Sequence, residues 1–164
     1  MKRNVVIGLI ALAIFVAIIY WYQKNKKASE LLPAAQPTYE QSFEDKFNIQ
    51  IPEDVDKAEL KDVSGGNGSG LATKQYENGR FTHNVLADLP DPAAGYFYEG
   101  WLVNGNEGDL SPVYVKTGKM SLVKGGYLLE FESSKDYSGY AGVVISLEKV
   151  FGSKPDKPIL EGSF

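Results

Sequence analysis

The stretch with the most suggestive chemistry is KTGKMSLVK, Lys116 to Lys124, which holds a Lys-Thr-Gly triplet (Lys116, Thr117, Gly118) and a Ser-x-x-Lys pair (Ser121, Lys124). In serine acyl-transfer sites built from these motifs, the serine opens a helix and the lysine lies one turn on to take its proton. The Lys-Thr-Gly strand comes far downstream. Here the triplet comes first and Ser121 follows it by three positions. Met120 to Val123 also reads as extended, which sends Ser121 and Lys124 to opposite faces. His83 is the only histidine, so a Ser-His-Asp arrangement would have to rest on it, and no G-x-S-x-G is present. His83 reads instead as a half-buried strand residue beside Phe81 and Val85. Without cysteine, neither a thiolate nucleophile nor a disulfide or thiolate metal site is available. The carboxylates of PEDVDKAE, Pro52 to Glu59, and of Asp88 and Asp91 do not match a calcium loop and read as solvated surface. The glycines of SGGNGSG, Ser64 to Gly70, lead into an alternating run and not a helix, so they form no phosphate cradle. Asn67-Gly68-Ser69 fits a glycosylation sequon. The expected site inventory is therefore no catalytic residue, no metal and no cofactor.

Charge is distributed unevenly. The net charge is −4 with 17 basic and 21 acidic residues over 164 positions, yet Lys2, Arg3, Lys24, Lys26 and Lys27 fall where no acid occurs. The rest of the chain is strongly acidic, which repels phosphate backbones and excludes nucleic acid as a partner of the body. The basic end instead frames Val5 to Tyr22, VVIGLIALAIFVAIIYWY, an uninterrupted apolar run. As a helix, this run spans about 27 Å, enough to cross a bilayer. Val5, Ile10, Phe15, Ile19, Tyr20, Trp21 and Tyr22 would belong to the membrane anchor, the last three as an interfacial belt ahead of the lysines. The competing reading, a cleaved signal peptide, needs small residues spaced as A-x-A after the run, and none follow. The expectation is a single-pass protein of the cell membrane, with the lipid bilayer as a partner. Residues 1–4 are a short cytoplasmic tail, 5–22 the transmembrane helix, 23–56 a Pro-containing tether and 57–164 an extracytoplasmic domain.

The domain reads as all-β. Seven alternating runs are separated by Gly, Asn, Asp and Pro: Ala58 to Val63, Gly70 to Tyr76, Arg80 to Leu89, Tyr96 to Val103, Val113 to Thr117, Tyr127 to Phe131 and Gly142 to Leu147. That spacing predicts an immunoglobulin-like antiparallel β-sandwich of about seven strands. By composition SGGNGSG suits a flexible linker, but its place between two of the runs favours a hairpin loop. GYFYEGWLV, Gly95 to Val103, carries rings and aliphatics on both parities, which predicts a strand covered on both sides, with Trp101 in the core and Glu99 needing a partner.

Several motifs in order resemble the extracytoplasmic C-terminal domain of the anti-sigma-K factor family. They are Gly70 before a strand, Leu89-Pro90, Tyr98-x-x-Trp101-Leu102, Pro112, Thr117-Gly118, Ser146-Leu147-Glu148, and Gly152-Ser153 followed by Pro155. Lys149 and Phe151 stand where the family usually has Pro and a second Gly. Only Met1 to Asn4 precede the apolar run, where family members carry a cytoplasmic sigma-binding domain. The resemblance implies an exported sandwich that senses or docks, binds a protein partner at the cell envelope, and catalyses nothing. An exported ligand- or glycan-binding module is the alternative, and a small serine hydrolase on Ser121 or His83 the remote one.

Overall fold

The computed structural model of the chain describes Tyr20, residues 37–105 and residues 112–164. Two units are separable, Met1–Pro37 and Thr38–Phe164, and the second carries the fold. Apart from Tyr20, the membrane helix expected over 5–22 lies outside the described residues. Among those residues, no helix is long and apolar enough to cross a membrane.

The folded unit starts earlier than the sequence suggested. Thr38 caps a nine-residue helix, α1 (Tyr39–Phe47), inside the segment expected to be tether. The Thr38 hydroxyl accepts from the Gln41 N–H and the Gln41 side chain accepts from the Thr38 N–H, a reciprocal capping box that satisfies two otherwise unpaired amides. Asn48, left-handed at φ 55°, ends the helix. Tyr39, Phe43 and Phe47, spaced by four, turn one aromatic stripe inward; with Ile51 they pack on Leu71 and Leu86. The Tyr39 hydroxyl pins the first turn, donating to the Gly70 carbonyl at 2.9 Å and accepting from the Gly70 N–H at 3.2 Å.

Among the described residues nine strands follow: β1 (Asp56–Asp62), β2 (Ser69–Glu77), β3 (Arg80–Asp88), β4 (Phe97–Asn104), β5 (Val113–Lys119), β6 (Ser121–Val123), β7 (Gly126–Ser133), β8 (Gly142–Glu148) and β9 (Lys157–Ser163). All pairings are antiparallel, and the order is β5-β4-β8-β9-β1-β2-β3-β7-β6. The all-β expectation holds, whereas the seven-stranded sandwich gives way to one sheet. β9 joins β8 to β1 on one side. On the other, the sheet's two outermost strands are consecutive in sequence, separated only by Met120, whose N–H donates to the Tyr98 carbonyl at 2.9 Å. Residues 113–123 thus act as one bent strand serving β4 with its first half and β7 with its second, and the sheet curls into a near-closed barrel.

The interior is filled from every side by alternate residues, among them Leu60, Phe81, Val85, Leu102, Ile145 and Leu160, all fully buried. SGGNGSG is the β1–β2 hairpin loop, as expected. Its geometry comes from Asp62, whose carboxylate accepts from the N–H groups of Ser64, Gly66 and Gly68. Partial burial raises this carboxyl's pKa, but these bonds outweigh it and hold the group down at about 2.

Because Phe43 joins α1 to the sheet and its site cannot collapse without moving the helix, Phe43→Ala should cost about 3–5 kcal/mol in urea unfolding of residues 38–164. A cost below about 1 kcal/mol would show α1 to be dispensable.

Candidate functional site

The two-sided burial of β4 is confirmed, and its outward side holds the most unusual chemistry in the molecule. Tyr98 and Leu102 point into the barrel; Phe97, Glu99 and Trp101 point out, yet Glu99 and Trp101 are 0% and 1% exposed. The cover is the β8–β9 connection, 149–156. Phe151 lays its ring 4.8 Å from that of Phe97, and the Asp156 N–H donates to Glu148 Oε1 at 2.9 Å. Beneath it, Trp101 Nε1 donates to the Ser146 hydroxyl at 2.7 Å, and that hydroxyl donates to Glu148 Oε1. Cross-strand register makes this possible, since Glu99 faces Ser146 and Trp101 faces Val144.

The Lys-Thr-Gly triplet takes a structural part here. Between β4 and β5 the register slips at Gly100/Trp101, so that Gly100 faces Gly118 and Trp101 faces Lys116, with Thr117 as the extra residue of a β-bulge. Gly118 sits at φ 126°, a conformation that a side chain disfavours. A side chain at Gly100 would meet Thr117 Oγ1 at 2.7 Å and Leu129 at 2.5 Å. The bulge puts Lys116 and Lys119, three residues apart, on the same outward face. Lys116 Nζ reaches Glu99 Oε2 at 3.4 Å and lies 5.3 Å over the Trp101 ring.

Two carboxylates are thus buried side by side, and only Glu99 is given an ammonium partner, Lys116. Otherwise the Glu99 carboxylate makes no hydrogen bond, and Glu148 Oε2 makes none. Burial raises the Glu99 pKa, the Lys116 charge opposes that, and Glu148 pushes it further up. The arrangement can retain a proton under a hydrophobic lid. Among the described residues, no group of three or more His, Asp or Glu side chains could hold a metal.

The other candidates separate. Ser121 is exposed on β6, and Lys124 lies in the turn beyond it. Asp88 pairs with Lys46, and Asp91 accepts from the Tyr127 hydroxyl at 2.8 Å. His83 is fully buried; its Nδ1 donates to the Thr73 carbonyl at 2.9 Å, while Nε2 has no partner. Burial pushes its pKa down to about 4. Across from it, Lys74 turns inward and donates to the carbonyls of Ser138 and Tyr140 at 2.8 Å, tying the 134–141 loop over the barrel end. The sequence reading missed this anchor; a lysine among inward-facing positions of β2 was the available signal.

The resemblance residues occupy definite structural positions. Gly70 receives the Tyr39 hydroxyl, Tyr98 donates to the Pro90 carbonyl at 3.0 Å just past Leu89, Thr117-Gly118 is the bulge, and Trp101 and Glu148 meet at Ser146. Trp101 offers no platform for a sugar. Beside α1, an open groove of about 450 Å³ is lined by Phe47, Ile51, Leu71, Leu86, Val123 and Leu128, with Lys124 and Glu130 also on its wall. In comparisons with family models, curated proteins and solved structures, no match was found.

Two pH effects follow. Glu99 is raised, so its ionisation opposes folding increasingly as pH climbs above its usual 4.5. Glu99→Gln should therefore stabilise the domain at about pH 8, with the gain shrinking toward pH 4.5, as read from thermal melts. A gain independent of pH would refute this. His83 is depressed, so the unfolded chain takes up its proton first as pH falls from 6.5 to about 4. Stability should drop by about 3 kcal/mol across that window, and His83→Gln should flatten the drop in urea titrations.

Proposed function

We propose that this chain is a membrane-anchored, non-catalytic β-module of the cell envelope that senses or docks a protein partner outside the cytoplasm. The observation carrying this reading is an apolar run from Val5 to Tyr22, flanked by lysines, joined within about fifteen residues to a β-unit that starts at Thr38. The fate of the candidate catalytic groups supports the non-catalytic part. The Lys-Thr-Gly triplet is spent on a bulge, Ser121 stands apart from His83, and His83 is sealed in the interior. Kinship with the anti-sigma-K C-terminal domain is part of the proposal and rests on the order of the sequence motifs through Gly70, Tyr98, Trp101, Thr117, Gly118 and Glu148. A second reading, an exported module for a small apolar ligand, is favoured by the groove beside α1.

The full chain should stay in the membrane pellet after alkaline carbonate extraction, while residues 38–164 alone should be released. External protease on intact cells should reach the folded unit. Cross-linking in intact membranes should capture a protein partner. Extraction of the full chain into the supernatant would overturn the anchor; protection from external protease would reverse the orientation.

A further inference from the structure

The β8–β9 connection covers the buried carboxylates with its inner side and presents an unusual outer one. Val150 and Phe151 are 66% and 69% exposed, and Tyr96 stands exposed nearby. Three ammonium groups surround this tip. Lys116 Nζ lies 5.0 Å from the Phe151 ring centre, Lys119 Nζ 5.1 Å from that of Phe97 and Lys149 Nζ 6.0 Å from that of Tyr96. Of the neighbouring acids, Glu99 and Glu148 are fully buried beneath, and exposed Asp156 is outnumbered by Lys149 and Lys154 of the same connection, so the local surface is positive on an otherwise acidic body.

The tip also lies at a particular end of the barrel. The Tyr39 hydroxyl is bonded at Gly70, near the start of β2, and the Val63 N–H at the end of β1 donates to the Ile159 carbonyl, just past the start of β9. The chain therefore enters the folded unit at the end that carries the 149–156 connection. Residues 23–37, extended at roughly 3.3 Å each, reach at most about 50 Å. An anchor in the bilayer keeps this end within reach of the membrane surface.

We infer that the Val150–Phe151 tip, with Lys116, Lys119 and Lys149, docks the domain on an anionic phospholipid surface. This rests on the membrane-anchored reading above. A phenyl ring and a valine can enter the headgroup boundary while lysines meet the phosphates, and long lysine stems suit that depth. A protein partner would need roughly 800 Å² on this side for a stable interface, far more than two side chains and a ring present. The tip is an insertion element ringed by charge.

The test uses residues 38–164, a unit with its own core and complete sheet, so that binding is independent of the anchor. The fragment should co-sediment with vesicles of mixed phosphatidylglycerol and phosphatidylcholine at low salt, be released by salt, and ignore pure phosphatidylcholine. Phe151→Ser, or Lys119→Glu with Lys149→Glu, should weaken this by about tenfold or more. Neither should shift the melting temperature greatly, since these side chains are exposed. Phe151→Trp should shift its emission to the blue on mixed vesicles, against the constant signal of buried Trp101. Absence of vesicle binding, binding insensitive to these substitutions, or binding to polyglutamate in place of vesicles would each overturn the proposal. If the fragment fails and the full chain still resists carbonate, the docking surface is refuted and the anchor stands.

Discussion

The constraint on which the rest depends is that one short segment, residues 113–123, must serve both edges of the sheet. A straight strand cannot do this. The chain bends at Met120 and slips register at Thr117, and both irregularities are tied to β4: Met120 through the Tyr98 carbonyl, and Thr117 through the pairing of Gly100 with Gly118. Near-closure follows, and with it an interior in which residues from almost every strand meet in one apolar cluster.

The same bulge explains why charge is tolerated on the far side of β4. Burying two carboxylates is costly unless they are paired or hold a proton. Shifting Lys116 onto the outward face supplies one counter-charge, Ser146 and the Asp156 amide serve one oxygen of Glu148, and the raised Glu99 accommodates the remainder. Motifs that look catalytic in the linear chain, Lys-Thr-Gly above all, act here as geometry: they choose which face a side chain occupies.

Much of this was readable from local pattern. The alternation of Phe81, His83, Val85 and Ala87 fixes an inward face, the mixed parity of GYFYEGWLV fixes a strand covered twice, and SGGNGSG reads as a hairpin loop. What escaped was either short or distant. β6 has three residues, too few to alternate, and β9 is disguised by Pro158 within a Gly- and Pro-rich tail. α1 carried legible signals in Thr38 with Gln41 and in Phe43 with Phe47, but two prolines upstream and scattered acids suggested a tether. The single sheet was beyond local reading, because pairing of β1 with β9 leaves no trace in the periodicity of either. The carboxylate pair was half visible: Glu99 among rings announced a missing partner, while Lys116 comes into range only through the bulge.

The position of β9 bears on how the molecule comes to be folded. It is the last strand in sequence but lies between β8 and β1, and Lys61 meets Glu161 about a hundred residues away along the chain. The β1–β2–β3 meander can form from neighbours alone, whereas the gap between its open side and β8 stays unfilled until β9 arrives. Contacts of that span slow folding. During synthesis or export the half-built sheet therefore carries an exposed apolar face and an unpaired strand edge, the condition in which such chains most need a holding factor or a fast passage.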